Sequence, residues 1–156
     1  MAQVSMENGS NSPLTPSTHT GWRIIEHTAD TGLVIESDDL PALFEQAADG
    51  LFEMIAERRG RSPEQSVDIE VTGVDWPDLM FCWLRELLGV WTGGERIPVG
   101  VRILQLAPYW IRAEVKTAAY DPALHRLGEE IKAVTYHQLR VEELDGGWRA
   151  QVIFDI

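Results

Sequence analysis

A chain of 156 residues is long enough for one domain with a real core and too short for two full ones. Hydrophobic residues make up 44% and tryptophan occurs six times, so the chain reads as a folded protein. A net charge of −12, from 25 acidic and 13 basic side chains, argues against stable direct nucleic-acid binding and suits a protein that meets a basic partner or a cation.

Residues 1–20 (MAQVSMENGSNSPLTPSTHT) are rich in Ser, Thr, Asn and Pro without apolar periodicity and read as a disordered extension, with His19 a passive member of it. Order begins at 21–22. Trp22 to Glu26 makes a short strand, His27-Thr28-Ala29-Asp30-Thr31-Gly32 breaks it, and Leu33 to Glu36 resumes it. Ser37, Asp38 and Asp39 are N-cap candidates, with Pro41 in a first helical turn. Leu40, Leu43, Phe44, Ala47, Leu51, Met54 and Ile55 form one apolar helical face, in a helix expected to end near Arg59-Gly60. Val67 to Val71 alternates as a half-buried strand. A second helix starts at Asp75-Trp76-Pro77-Asp78 and stops at Thr92-Gly93-Gly94. Its pattern holds Cys82, the lone cysteine, which excludes an internal disulfide or thiolate zinc cluster and reads as a small packed residue.

From Pro98 onward the chain is mostly strand: Val99 to Leu106, Trp110 to Lys116, Ala133 to Glu142 and Trp148 to Ile156. Asp145-Gly146-Gly147 is a tight hairpin connection between the last two. The expected fold class is α+β, one compact domain over 21–156, mostly antiparallel sheet with two main helices packed on it. No apolar run approaches the ~20 residues that span a bilayer, and the first residues lack the pattern of a secretory signal. A cytoplasmic protein without membrane contact is expected, and nothing in the sequence fixes an oligomeric state.

Three places carry candidate chemistry. In His27 to Gly32, small Ala29 and Gly32 let the backbone turn closely and place His27 and Asp30 on an inter-strand loop, where Asp30 either caps its own turn or ligates a cation. In Glu129 to His137, Lys132 opens a strand beside two acids, with Thr135 and His137 on its face if no bulge intervenes. That lysine serves a metal site or a phosphate, or the segment is a solvated edge; His125, just before it, leans towards the surface. The third is the ending Val152-Ile153-Phe154-Asp155-Ile156, apolar to its last residue, which would hold the Asp155 carboxylate and the terminal one at a fixed point if paired in a sheet. No Ser-His-Asp order, Gly-rich phosphate loop or zinc-like His spacing is present.

Glu26-His27-Thr28-Ala29-Asp30, Glu130-Ile131-Lys132-Ala133-Val134-Thr135-Tyr136-His137 and the closing Val152 to Ile156 resemble the archease family, in the same order and with helices like Leu40 to Ala56 and Trp83 to Leu88 between them. The resemblance implies a helper of the RtcB-type RNA ligase, promoting its guanylylation and multiple turnover in tRNA splicing and RNA repair. It also implies a divalent cation (Ca²⁺, Mg²⁺ or Mn²⁺) held by Asp30, Asp155 and Ile156, the last through main-chain or terminal oxygens. His27, Glu130, Lys132 and His137 match motif positions and are expected in supporting or partner-facing roles. Thr31 departs from the aliphatic residue usual there, and the glycine-rich Gly93 to Gly100 connection is unlike the family. The competing readings are a metal-dependent phosphoester hydrolase and a general chaperone or adaptor using aromatic surface.

Overall fold

The structure, a computed structural model, describes residues 21–26 and 30–156, so the expected N-terminal extension and the 27–29 segment, including His27, lie outside the described residues. Chain order is β1 (Gly21–Glu26), β2 (Asp30–Ser37), α1 (Leu40–Ile55), β3 (Ala56–Arg58), β4 (Glu64–Thr72), α2 (Trp76–Gly94), β5 (Arg96–Ala107) and β6 (Trp110–Ala119). It continues with β7 (His125–Leu127), β8 (Ala133–Val134), β9 (Arg140–Leu144) and β10 (Gly147–Asp155).

The strands form three antiparallel sheets. The largest runs β1-β2-β10, with β8 and β9 both paired to the far edge of β10; the others are β4-β6-β5 and the ribbon β3-β7. Both helices begin as their sequence directs. Asp39 Oδ1 accepts the Ala42 N–H at 2.8 Å to cap α1, and Asp75 Oδ1 accepts the Asp78 N–H at 2.8 Å to cap α2, each with proline in the first turn.

The core lies between these helices and the inner faces of the sheets. Leu43, Phe44, Ala47 and Leu51 of α1 and Leu79, Met80, Trp83, Leu84 and Leu87 of α2 are fully buried. Leu33, Ile35, Ala150, Val152 and Phe154 meet them from β2 and β10. Period-two alternation along those two strands therefore assigns one side of the large sheet to the core. Trp83 is tied to α1 by its indole N–H, which donates to the Phe44 carbonyl at 2.9 Å.

Four expectations need correction. The first helix stops at Ile55, before Arg59, because Ala56–Arg58 leaves it to pair with His125–Leu127. His125 is buried at 3% exposure, its Nδ1 accepting the Asp121 N–H at 2.9 Å and its ring stacked on Tyr120. The β3-β7 ribbon had no periodicity to announce it, since strands of three residues carry little pattern. The long strand expected from Ala133 to Glu142 is broken: β8 ends at Val134 and a turn with Gln138 at φ +51° intervenes before β9. Lys132, Thr135 and His137 accordingly share no strand face. The fourth concerns Asp30, which begins β2 and is no loop residue.

Candidate metal centre

The pairing of β2 with β10 decides the geometry. Asp155 is the cross-strand partner of Asp30, followed by Phe154 opposite Thr31 and Ile153 opposite Gly32. Directly opposed residues of an antiparallel pair project to the same face, with Cβ atoms about 4.5–5.5 Å apart. Phe154 and Thr31 are buried on the core side, so the two aspartates project from the other side, at the open end of the sheet. Residues 125 positions apart thus place two carboxylates side by side because β10 is the central neighbour of β2.

Such a pair is unfavourable without a counter-charge, since like charges directly opposite destabilise a sheet. Asp30 Oδ1 is moreover buried and has no hydrogen-bond partner among the described residues. An acceptor buried and unsatisfied costs about 1–3 kcal/mol. A cation answers both conditions, and carboxylate oxygens suit the hard divalent ions. Gly32 makes the close approach of the strands possible: a Cβ there would meet the Val152 carbonyl oxygen and Ile153 Cδ1, each at 2.8 Å.

Ile156 follows Asp155 directly and, by alternation, turns its side chain to the Thr31 side. It joins Glu26, Thr31, Met54 and Glu129 in lining a cleft of about 160 Å³. The chain end therefore sits at the sheet rim between that cleft and the carboxylate pair. Among the described residues no three His, Cys, Asp or Glu side chains are grouped to hold a metal. The two carboxylates are oxygen donors of the kind a hard divalent cation takes.

The remaining motif residues surround this end by different means. Lys132 donates its backbone N–H to the Asp155 carbonyl at 2.8 Å, fixing the last strand, while its side chain is exposed and forms no ion pair among the described residues. Thr135 grips Ile153, its N–H and Oγ1 both donating to the Ile153 carbonyl at 3.0 and 2.9 Å. Glu130 and His137 are exposed, and the His137 N–H donates to Thr135 Oγ1 at 3.2 Å. The structure thus brings Asp30 and Asp155 together with Ile156 adjacent, and leaves the side chains of Glu130, Lys132 and His137 facing outward.

Sequence reasoning gave Tyr136 no role of its own. Its ring stacks on Phe81 of α2, centroids 3.8 Å apart and planes 13° from parallel, and its hydroxyl donates to Asp78 Oδ1 at 3.0 Å. Tyr136 is exposed; local desolvation, then the hydrogen bond and charge of Asp78, push the phenol pKa up, so it stays a donor. Burial, followed by the Asp78 charge, likewise raises the Cys82 thiol pKa, which disfavours a nucleophilic thiolate. No helix among the described residues is long and apolar enough to cross a membrane.

Residues 22–156 match the model of a family described as "Archease protein family (MTH1598/TM1083)". "Protein archease" of Pyrococcus furiosus is 35% identical over 142 residues, covering 86% of this chain and 98% of that protein. Its namesake in Methanopyrus kandleri is 35% identical over 138 residues, covering 86% and 99%. The solution structure of Methanobacterium thermoautotrophicum protein 1598 superposes with a TM-score of 0.67 at 27% identity, covering 87% of this chain and 99% of that one. A Thermotoga maritima crystal structure described as "an archease, possible chaperone" shares the fold, with a TM-score of 0.59 at 22% identity over 96% of this chain.

Proposed function

The chain belongs to the archease family, and on that premise we propose that it is a protein cofactor, without turnover of its own, that activates an RtcB-type RNA ligase in the cytoplasm. In this reading it promotes guanylylation of the ligase and so permits repeated ligation in tRNA splicing or RNA repair. The observation that supports the proposal is the opposed Asp30–Asp155 pair, with the Asp30 Oδ1 buried and without a hydrogen-bond partner among the described residues.

Asp30, Asp155 and an oxygen of Ile156 would hold a divalent cation, Ca²⁺, Mg²⁺ or Mn²⁺. Bound there, such a cation supplies positive charge that steadies phosphate oxygens. The chain's own residues set the position of that charge. The β2-β10 ladder fixes both carboxylates, and the Lys132 N–H and Thr135 hold β10 from its other edge. The acidic balance of the chain suits docking on a basic, RNA-handling enzyme.

The test is single-round labelling of a cognate ligase with radioactive GTP in Mn²⁺. The wild-type chain should raise the rate of label incorporation, and Asp30→Ala and Asp155→Ala should lose that effect while remaining folded. Undiminished stimulation by both variants would remove the carboxylates from the mechanism. Phosphate release by the purified chain alone would favour the hydrolase reading instead.

A further inference from the structure

The two outer strands of the β4-β6-β5 sheet are finished differently. β5 carries register shifts at Pro98/Gly100 and Ile103/Gln105, and Glu45 Oε2 of α1 accepts its Ile103 N–H at 3.1 Å. Bulges, proline and a capping side chain of this kind close a strand edge to further pairing. β4 has none of these. Its nine residues contain no proline and pair with β6 in unbroken register from Glu64 to Thr72, and β6 is its one ladder partner among the described residues. The backbone N–H and C=O groups along its other side are what an extended chain pairs with.

The side chains of β4 select the occupant. On the core side Val67, Val115 and Val101 form one row across the sheet; Val115 is fully buried, yet Val67 at the end of the row is 42% exposed. On the outer side the matching row is Asp68, Glu114 and Arg102. Arg102 reaches the Glu114 carboxylate at 3.3 Å, while Asp68 forms no ion pair among the described residues. Alternation puts Glu64, Asp68 and Glu70 together on that outer side, and the strand holds no base. A second copy of β4 would therefore set acids against acids, which destabilises a sheet. Residues 1–20 contain no lysine or arginine to answer them.

We infer that β4 is a docking edge for an extended segment of a partner protein in which basic and apolar residues alternate. The segment's backbone adds a strand to the sheet, its apolar residues continue the valine row over Val67, and its bases stand beside Asp68 and Glu70. Glu70 already accepts the Trp110 indole N–H at 2.7 Å, so the unanswered charge of Asp68 sets the register of the incoming strand. The inference is independent of the metal site and of the RNA-ligase reading, and it gives a place on the fold to the basic partner that a net charge of −12 favours.

The experiment titrates the full chain with a capped Lys-Val-Lys-Val-Lys-Val-Lys peptide and with Lys-Lys-Val-Val-Val-Lys-Lys, which keeps the charge and loses the alternation. Calorimetry reads the Kd, and amide hydrogen exchange reads where the peptide lies. The alternating peptide should bind about tenfold more tightly than its scrambled form and slow exchange along β4. Asp68→Lys should raise its Kd about tenfold and Asp68→Asn about threefold, the second variant deciding the matter if the first does not fold. Glu86→Lys, a reversal at an exposed acid of α2, should leave the Kd close to wild type. Equal losses in Asp68→Lys and Glu86→Lys overturn the inference, because they show diffuse charge attraction only. Equal affinity for the two peptides, no binding of either, or slowed exchange confined to other strands also overturns it. So do β4 amides already slow in the free chain: slowing that grows with protein concentration makes a second copy the occupant, and slowing that does not makes it another part of the same chain.

Discussion

Replacing Asp155 by Asn separates the cost of the opposed carboxylates from what a cation gains there. Asp155 is exposed and faces Asp30 across the ladder, so the substitution removes a charge and little packing. With the carboxylates about 5 Å apart, Coulomb's law gives about 0.8 kcal/mol of repulsion at the dielectric of water and about 3 kcal/mol at an effective value of 20. The exposure of Asp155 favours the lower figure. In EDTA at low salt, Asp155→Asn should therefore be more stable than wild type by about 1 kcal/mol, or about 3 °C in Tm for a domain of this size. With cation at a hundred times its Kd the order should invert. Wild type gains about 2.7 kcal/mol by mass action, while the variant, missing one of two carboxylates, gains little. Calorimetry in EDTA and in Ca²⁺ or Mn²⁺ reads both. An equal cation-induced rise in Tm for the two proteins would refute the site, and a variant less stable than wild type in EDTA would refute the repulsion.

Further outcomes follow from other contacts. Gly32→Ala should destabilise the fold by about 1–3 kcal/mol in urea titration, because its Cβ would press on the Val152 carbonyl and force β2 from β10. Trp83→Phe removes a fully buried indole and its bond to the Phe44 carbonyl and should cost about 2 kcal/mol by the same measurement. The Asp49 carboxyl reaches solvent, yet partial burial and then the charges of Glu45 and Glu53 raise its pKa above 3.8. Below pH 3.8 it is protonated folded and unfolded alike; as pH rises through the raised folded value, stability is lost. Asp49→Asn should thus stabilise at pH 7 and be neutral below pH 3.8, as read by Tm across pH. Extending the chain by a few residues after Ile156 should weaken cation binding in calorimetric titration if the terminal carboxylate is the third donor.

Much of this arrangement was legible in the sequence where local chemistry decides it. Asp39-Leu40-Pro41 and Asp75-Trp76-Pro77 announce helix starts, and Asp145-Gly146 announces the last hairpin, with Gly146 at φ +82°. What was not legible depends on partners distant in the chain. Leu40 to Arg59 keeps a helical pattern, yet Ala56 to Arg58 is taken by β7, some 70 residues later. Asp30 reads as a loop residue until β10 pairs with it, and the same pairing converts Asp155 from an isolated acid into its neighbour. Tyr136 carried no signal because its stacking partner is on α2. Thr31 is buried and its hydroxyl donates to the Ile25 carbonyl at 3.2 Å, so a polar side chain at this position is satisfied by a hydrogen bond.

The most direct measurement of the central claim is the number of ligations completed per ligase molecule with GTP and Mn²⁺, with and without this chain at substoichiometric amounts. The account predicts multiple turnovers with the wild-type chain and roughly a single turnover with Asp30→Ala or without the chain. Equal turnover numbers in all three mixtures would contradict it.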